Sequence, residues 1–331
     1  MRLRLVDGSR GVGVATWHKP TARWLPLVDA LAHPQAAELV RPDEREMMAT
    51  AASDMLAFLS FGAPARELAQ SIADRVAAEL FPVDLTPRLP FAPRSLRPFL
   101  LSPRHSEQVA RGMVARYLPA GAEVIRPHQR AAGERPLMRR TPLSYQGNHN
   151  ALVPDGTAVD APPYGHDLDY ELEIGFVVSR DVRDQTAAEC GDAIGGLVIL
   201  NDISLRDTQW EEARGNPLGP VQKCKSFATA ISSEVLTVEE PVDDISWLTG
   251  SVDVDGETWS TGRADDFAHT LPECLARLSE GEMVLAGELL STGTLAGCSG
   301  IELGRLPPAG AEVTLTVDEI GRLTNRLGDR Q

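Results

Sequence analysis

The chain of 331 residues is 43% hydrophobic and 24% charged, ordinary for a globular protein and enough for one large or two modest domains around an ample core. Its 32 basic against 47 acidic side chains leave a net charge of −15, which argues against phosphate-backbone binding; no apolar run nears the ~18 residues that cross a bilayer. The start, Met1 to Asp7, breaks off at an acid before any apolar region of signal-peptide length, and four widely spaced cysteines (190, 224, 274, 298) without a zinc-type pair read as reduced thiols of a cytoplasmic protein.

Leu3-Arg4-Leu5-Val6 and Gly11-Val12-Gly13-Val14-Ala15 read as short strands around a turn at Asp7-Gly8. Glycines 11 and 13 lack the rest of a nucleotide-loop fingerprint. Alanine-rich stretches from Asp43 to Phe58 and from Pro64 to Leu80 predict two amphipathic helices broken at Gly62. Pro82, Pro87, Pro90, Pro93 and Pro98 then form a stiff extended connector. It divides a smaller, partly helical unit (1–91) from a larger one (92–331).

In the second unit Ser106 to Gly112 predicts a helix opened by His105, and a lone histidine there reads as a surface or satisfied residue. The stretch Asp169 to Val178 alternates, with Leu172, Ile174 and Phe176 on one parity, and predicts a strand with one apolar face. Glu171 and Glu173 project from the other face about 6.6–7 Å apart. Two such charges are harmless on a solvated face, or they share a hard divalent cation. Both readings stand at this point.

After a polar turn (179–184) and a helix over 187–193, Gly195 to Asp202 is an apolar run ending in an acid, a strand buried on both faces. Asp202 at the edge of the core must be paired, hydrogen-bonded or on a metal. With Glu171 and Glu173 it makes three carboxylates, a set suited to Mg²⁺ or Mn²⁺. Further on, Val252 to Trp259 predicts a hairpin turning at Asp255-Gly256, Thr270 to Leu278 a helix, and 312–317 with 320–325 a closing pair of strands joined at Gly321.

Leu-Asp-Tyr-Glu-Leu-Glu (168–173), Asn-Asp-Ile-Ser-Leu-Arg-Asp-Thr-Gln-Trp-Glu (201–211), Gly219-Pro220 with Lys225-Ser226-Phe227, and Ser291-Thr292-Gly293-Thr294 occur in that order. Together they resemble the motifs of the fumarylacetoacetate hydrolase family, over roughly residues 92 to 330. The resemblance implies an α+β chain whose carboxy-terminal part is a mixed β-sandwich or β-roll, preceded by a small domain, and assembled as a homodimer. It implies a Mg²⁺ site at Glu171, Glu173 and Asp202, with Mn²⁺ or Ca²⁺ as alternatives, and Lys225 beside it to offset surplus negative charge. It also implies a water-activating dyad of His105 with Glu302, whose plain reading is an exposed turn acid.

Tyr145 is expected at a substrate carboxylate, against the alternative of a tyrosine bonded to backbone; His149 is the weaker candidate nearby. Arg206 and Gln209 share one side of a helical turn. Arg206 suits a two-pronged grip on a carboxylate, against a salt bridge to Asp207 or Glu211. Gly293-Thr294 offers a close backbone approach and a hydroxyl for a substrate carboxylate. Lys223 is expected to face solvent. One departure stands out: Pro98 and Leu100 occupy positions where the fumarylacetoacetase branch carries a further aspartate ligand and a tyrosine.

The resemblance thus implies hydrolytic C–C cleavage of a small 2,4-dioxo acid such as an acylpyruvate. The same parts would support decarboxylation, tautomerisation or isomerisation, or hydratase chemistry, and Pro98 with Leu100 would suit a non-catalytic relative that binds a metabolite.

Overall fold

In a computed structural model, residues 1–76, 88–118, 136–219, 221–239 and 241–328 are described. The end of the second predicted helix (77–80), Pro82 and Pro87 of the connector, and Pro220 lie outside them.

Strand Glu171–Val178 is the axis of the molecule. It pairs antiparallel with Ile194–Asn201 on one side and Leu289–Ser299 on the other, inside a ten-stranded mixed sheet. A second, five-stranded sheet runs in the order Glu257–Arg263, Thr249–Val254, Ala311–Val317, Gly321–Leu327, Ala158–Val159. The sheets are packed face to face. Leu172, Ile174 and Phe176 meet Val252, Val313, Leu315 and Leu323 in the larger core, as alternation requires of a strand with one face toward a sandwich interior.

The strand's other face is covered too, contrary to the single apolar face read from its alternation. Val177, with Val198, Leu200 and Leu289 from its neighbours, packs into a second core built from Phe58, Leu59, Ala69 and Ile72 of the amino-terminal helices. Gly195 and Gly196 follow Ile194 in the neighbouring strand, where a Cβ would lie 2.7 Å from Ser179 Cβ and Val235 Cγ1 respectively, and 3.1 Å and 3.3 Å from Leu59 side-chain atoms. All eight residues of Glu171–Val178 are therefore buried.

The first ninety residues contribute sheet as well as cover. Strand Arg2–Gly8 pairs antiparallel with Glu234–Thr237 and so extends the large sheet, followed by Gly11–His18 and Arg23–Pro26. The first hairpin turns at Ser9-Arg10 instead of Asp7-Gly8, since Gly8 still pairs with Gly11. Buried Asp29 selects that turn by accepting from Ser9 N, Ser9 Oγ and Arg10 N at 2.8, 2.7 and 3.0 Å.

The first of the two predicted helices is split into Arg45–Ser53 and Met55–Phe61, because Asp54 turns extended and its carboxylate caps Ala57 N at 2.7 Å. Ala63–Arg75 follows the break at Gly62. The Asp255-Gly256 hairpin, with φ of 49° and 82°, and the helix Leu271–Ser279, capped by Thr270, form as their sequences predict. No helix among the described residues is long and apolar enough to cross a membrane.

Candidate active site

The covered face of the Glu171–Val178 strand changes character along its length. Val177 lies under the amino-terminal helices and Gly175 against Val198, Leu200 and Leu289 of the flanking strands, whereas Glu171 and Glu173 on the same parity turn into a polar centre. Asp202, just past the end of Ile194–Asn201, joins them: one carboxylate oxygen from each of the three lies within 4.8 Å of the others. Their exposures of 4%, 2% and 2% exclude the solvated-face alternative.

Lys225 bridges two of the three. Its Nζ donates to Glu171 Oε2 at 2.5 Å, Asp202 Oδ2 at 2.6 Å and Ser204 Oγ at 2.8 Å. Lys223, two residues earlier, is exposed and lies over the Tyr164 ring, as its expected solvent-facing position requires. Ser291 Oγ donates to Glu173 Oε2 at 2.5 Å. Tyr145 OH donates to Asp202 Oδ2 at 2.9 Å. That position differs from both sequence readings of Tyr145, a substrate carboxylate or a backbone group. The carbonyl of Pro98 accepts from Tyr145 N at 3.0 Å and sets the ring there, so residue 98 serves the site through its backbone.

Arg206 also departs from expectation. It is completely buried, and its Nε donates to Asp169 Oδ2 at 2.8 Å while a terminal nitrogen lies 2.8 Å from Glu171 Oε1. Its other terminal nitrogen donates to Gln209 Oε1 at 2.8 Å. The guanidinium thus serves internal carboxylates across the fold, not Asp207 or Glu211 on its own helix. Gln209 holds it from one turn further along.

Helix Pro103–Tyr117 delivers the histidine. Ser102 caps it by accepting from His105 N at 3.0 Å, so the cap lies four residues before Ser106, where the sequence predicts the start. The imidazole is 5% exposed, with Nδ1 3.0 Å from Glu302 Oε2 and Nε2 4.0 Å from Glu171 Oε1. Glu302 is no exposed turn acid: its side chain is 1% exposed and accepts from Gly297 N at 3.0 Å and Ser299 Oγ at 2.7 Å. Thr294 reaches the centre through a one-residue bulge, in which Ser291 pairs with Gly175 and Thr294 with Glu173. Gly293 sits in that bulge at φ 77°, and a Cβ there would lie 2.5 Å from Phe99 O. Thr294 Oγ1 is buried and has no hydrogen-bond partner.

The electrostatics are lopsided. Among the described residues, Asp169, Glu171, Glu173 and Asp202 are buried against two buried cations, Arg206 and Lys225. Burial pushes Glu173 well above the usual carboxylate range, and the charges of Asp202 and Glu171 push it further. Burial also raises Asp202, although Lys225 opposes it. Glu171 goes the other way, because the charges of Lys225 and Arg206 outweigh its burial. A divalent cation would cancel the excess, and unpartnered Asp202 Oδ1 with hard oxygen donors on all three acids matches Mg²⁺ or Mn²⁺ chemistry. The residues fit such an ion.

The profile of the fumarylacetoacetate (FAA) hydrolase C-terminal family matches residues 120–328, well over half of the chain. The chain belongs to the fumarylacetoacetate hydrolase family. Within this family it is 31% identical over 174 residues to the oxaloacetate tautomerase YisK of Bacillus subtilis, covering 49% of this chain and 52% of that one. It is 28% identical over 186 residues to the bifunctional isomerase/decarboxylase of homoprotocatechuate catabolism of Escherichia coli, covering 56% and 41%. The chain thus spans about half the length of the curated relatives it matches. A solved fumarylacetoacetate hydrolase from Exiguobacterium antarcticum shares the fold over the full length of both chains, with a TM-score of 0.64 at 16% identity.

The residues missed by sequence reading are Asp169, Ser204 and Ser291. Asp169 continues the odd-numbered spacing of Glu171 and Glu173, and Ser291 opens the Ser291-Thr292-Gly293-Thr294 motif. Both signals were present in the sequence, without a chemistry attached to them.

Proposed function

We propose that the chain is a Mg²⁺-dependent hydrolase that cleaves a C–C bond in a small 2,4-dioxo acid of the acylpyruvate type. The observation that carries this reading is the His105–Glu302 pair, 3.0 Å apart and abutting Glu171 of the carboxylate cluster. Glu171, Glu173 and Asp202 would hold the ion, which when bound supplies Lewis-acid polarisation of the substrate's neighbouring oxygens.

The chain's own residues do the rest. Glu302 holds His105 Nδ1 and leaves Nε2 directed toward the cluster, where it takes a proton from water as that water attacks the carbonyl beside the scissile bond. Lys225 stabilises negative charge that develops on the leaving fragment, from a site already short of cations. The partnerless Thr294 hydroxyl supplies a donor for the substrate carboxylate. Tyr145 and Ser291 hold Asp202 and Glu173 by one oxygen each, which fixes the direction of the other. Arg206, with Gln209, orients Glu171 from behind and does not contact the substrate. The closed core around the cluster keeps bulk water from competing for it.

A second reading, keto–enol tautomerisation or decarboxylation of a 2-oxo acid, draws support from the relatives named oxaloacetate tautomerase and isomerase/decarboxylase. It needs the cluster without the dyad. The two readings separate in one experiment: purified protein with Mg²⁺ is given an acylpyruvate, and separately oxaloacetate, with products followed by absorbance and NMR. Release of pyruvate and a carboxylic acid supports hydrolysis. Enol–keto exchange of oxaloacetate, with the acylpyruvate left intact, would overturn it in favour of the second reading.

A further inference from the structure

Asp169 is buried at 0% exposure, yet it lies outside the carboxylate cluster. Every direction around its carboxylate is filled. Oδ1 accepts from Tyr170 N at 2.9 Å and Gly300 N at 2.8 Å, and Oδ2 from Ile301 N at 2.9 Å and Arg206 Nε at 2.8 Å. The approach is close: a Cβ on Gly300 would lie 2.5 Å from Oδ1.

Two of these donors belong to the turn whose next residue is Glu302, the acid 3.0 Å from His105. On its other side, Asp169 grips the guanidinium that reaches 2.8 Å to Glu171 Oε1. That same Glu171 oxygen lies 4.0 Å from His105 Nε2. A single buried ion pair therefore touches both halves of the site. A neutral acceptor could cap a backbone turn, whereas burying two ions carries a heavy desolvation cost. The charge is accounted for if the pair also has to answer to charge at Glu171.

We propose that Asp169 and Arg206 are positioning residues that couple the carboxylate cluster to the His105–Glu302 pair. A cation that draws on Glu171 relaxes its hold on Arg206, Arg206 tightens on Asp169, and Asp169 sets the 300–302 turn so that Glu302 meets His105. The inference rests on the cluster as a cation site, as in the function proposed above, and not on the identity of the substrate.

The test uses full-length protein with isotope-labelled histidine, the His105 imidazole signal being assigned by its loss in His105→Asn. Stepwise addition of Mg²⁺ is expected to move that signal in the unaltered protein. In Asp169→Asn, Mn²⁺ affinity measured by electron paramagnetic resonance should fall less than about tenfold, while kcat on an acylpyruvate drops about 10- to 100-fold with KM little changed. The His105 response to Mg²⁺ should shrink to less than about half. Arg206→Lys, which keeps the charge and loses the fork, should show the same loss of response.

A full His105 response in both variants, or no response in the unaltered protein, overturns the coupling. So does loss of the folded state in both variants, which would make the pair a structural brace and nothing more. If the unaltered protein turns over no acylpyruvate, the function proposed above fails, and the imidazole response alone decides the coupling.

Discussion

One face of the Glu171–Val178 strand has two opposite halves, both sealed from water by different means. At the far half, Val177 is covered by apolar side chains of the amino-terminal helices. At the near half, Glu171 and Glu173 are covered by charges and hydroxyls: Lys225, Arg206, Ser291 and the neighbouring Asp202. The contrast separates two energetic roles within a few residues of backbone. The far half stabilises the fold through area removed from water. The near half costs stability, since its carboxylates outnumber their partners; that cost is what a site for chemistry requires.

Substitutions on the two halves should therefore fail in different assays. The largest effect is expected from Glu173→Ala, which should abolish measurable Mg²⁺ affinity in calorimetry while leaving the thermal midpoint unchanged or higher, because a buried like charge is removed. Unaltered affinity would refute the cluster as a cation site. Next, His105→Ala should lower kcat by about 10²- to 10⁴-fold with Mn²⁺ affinity preserved. Full activity in that variant would remove the dyad from the mechanism.

On the apolar half, Val177→Ala should destabilise the protein by about 2 kcal/mol, read as a lower urea midpoint, with Mn²⁺ affinity untouched. A parallel loss of affinity would show that the halves are not separable. The smallest effect belongs to Tyr145→Phe, which deletes one hydrogen bond to Asp202 Oδ2. It should cost about 1 kcal/mol of cation binding, roughly fivefold in affinity.

How much of this could be read from the residues varies with the distance over which each one acts. The alternation of Leu172, Ile174 and Phe176 marked the strand and its sandwich face. It said nothing of the cover over Val177, because that cover comes from helices about a hundred residues earlier. Three acids at 169, 171 and 173 look alike in the sequence, and only the turn at 300–302 and Arg206 single out Asp169. For Arg206 itself, the sequence suggests a substrate carboxylate or a nearby Asp207 or Glu211, whereas the structure pairs it with carboxylates more than thirty positions back. The first hairpin makes the same point on a smaller scale. Asp7-Gly8 has turn chemistry of its own, and Asp29 overrides it from outside. The pairing of His105 with Glu302 rested on family motifs alone, since no local pattern joins residues so far apart.

The strand Arg2–Gly8 borders Glu234–Thr237 along a main-chain ladder. A shortened protein lacking the first ninety residues would leave that border open, a row of unsatisfied amides and carbonyls next to the stripped Val177 and Leu200. Such a fragment would offer a template for stacking against other copies of itself, and insoluble material is its expected fate. The leading segment is thus a safeguard against aggregation as much as a lid for the core.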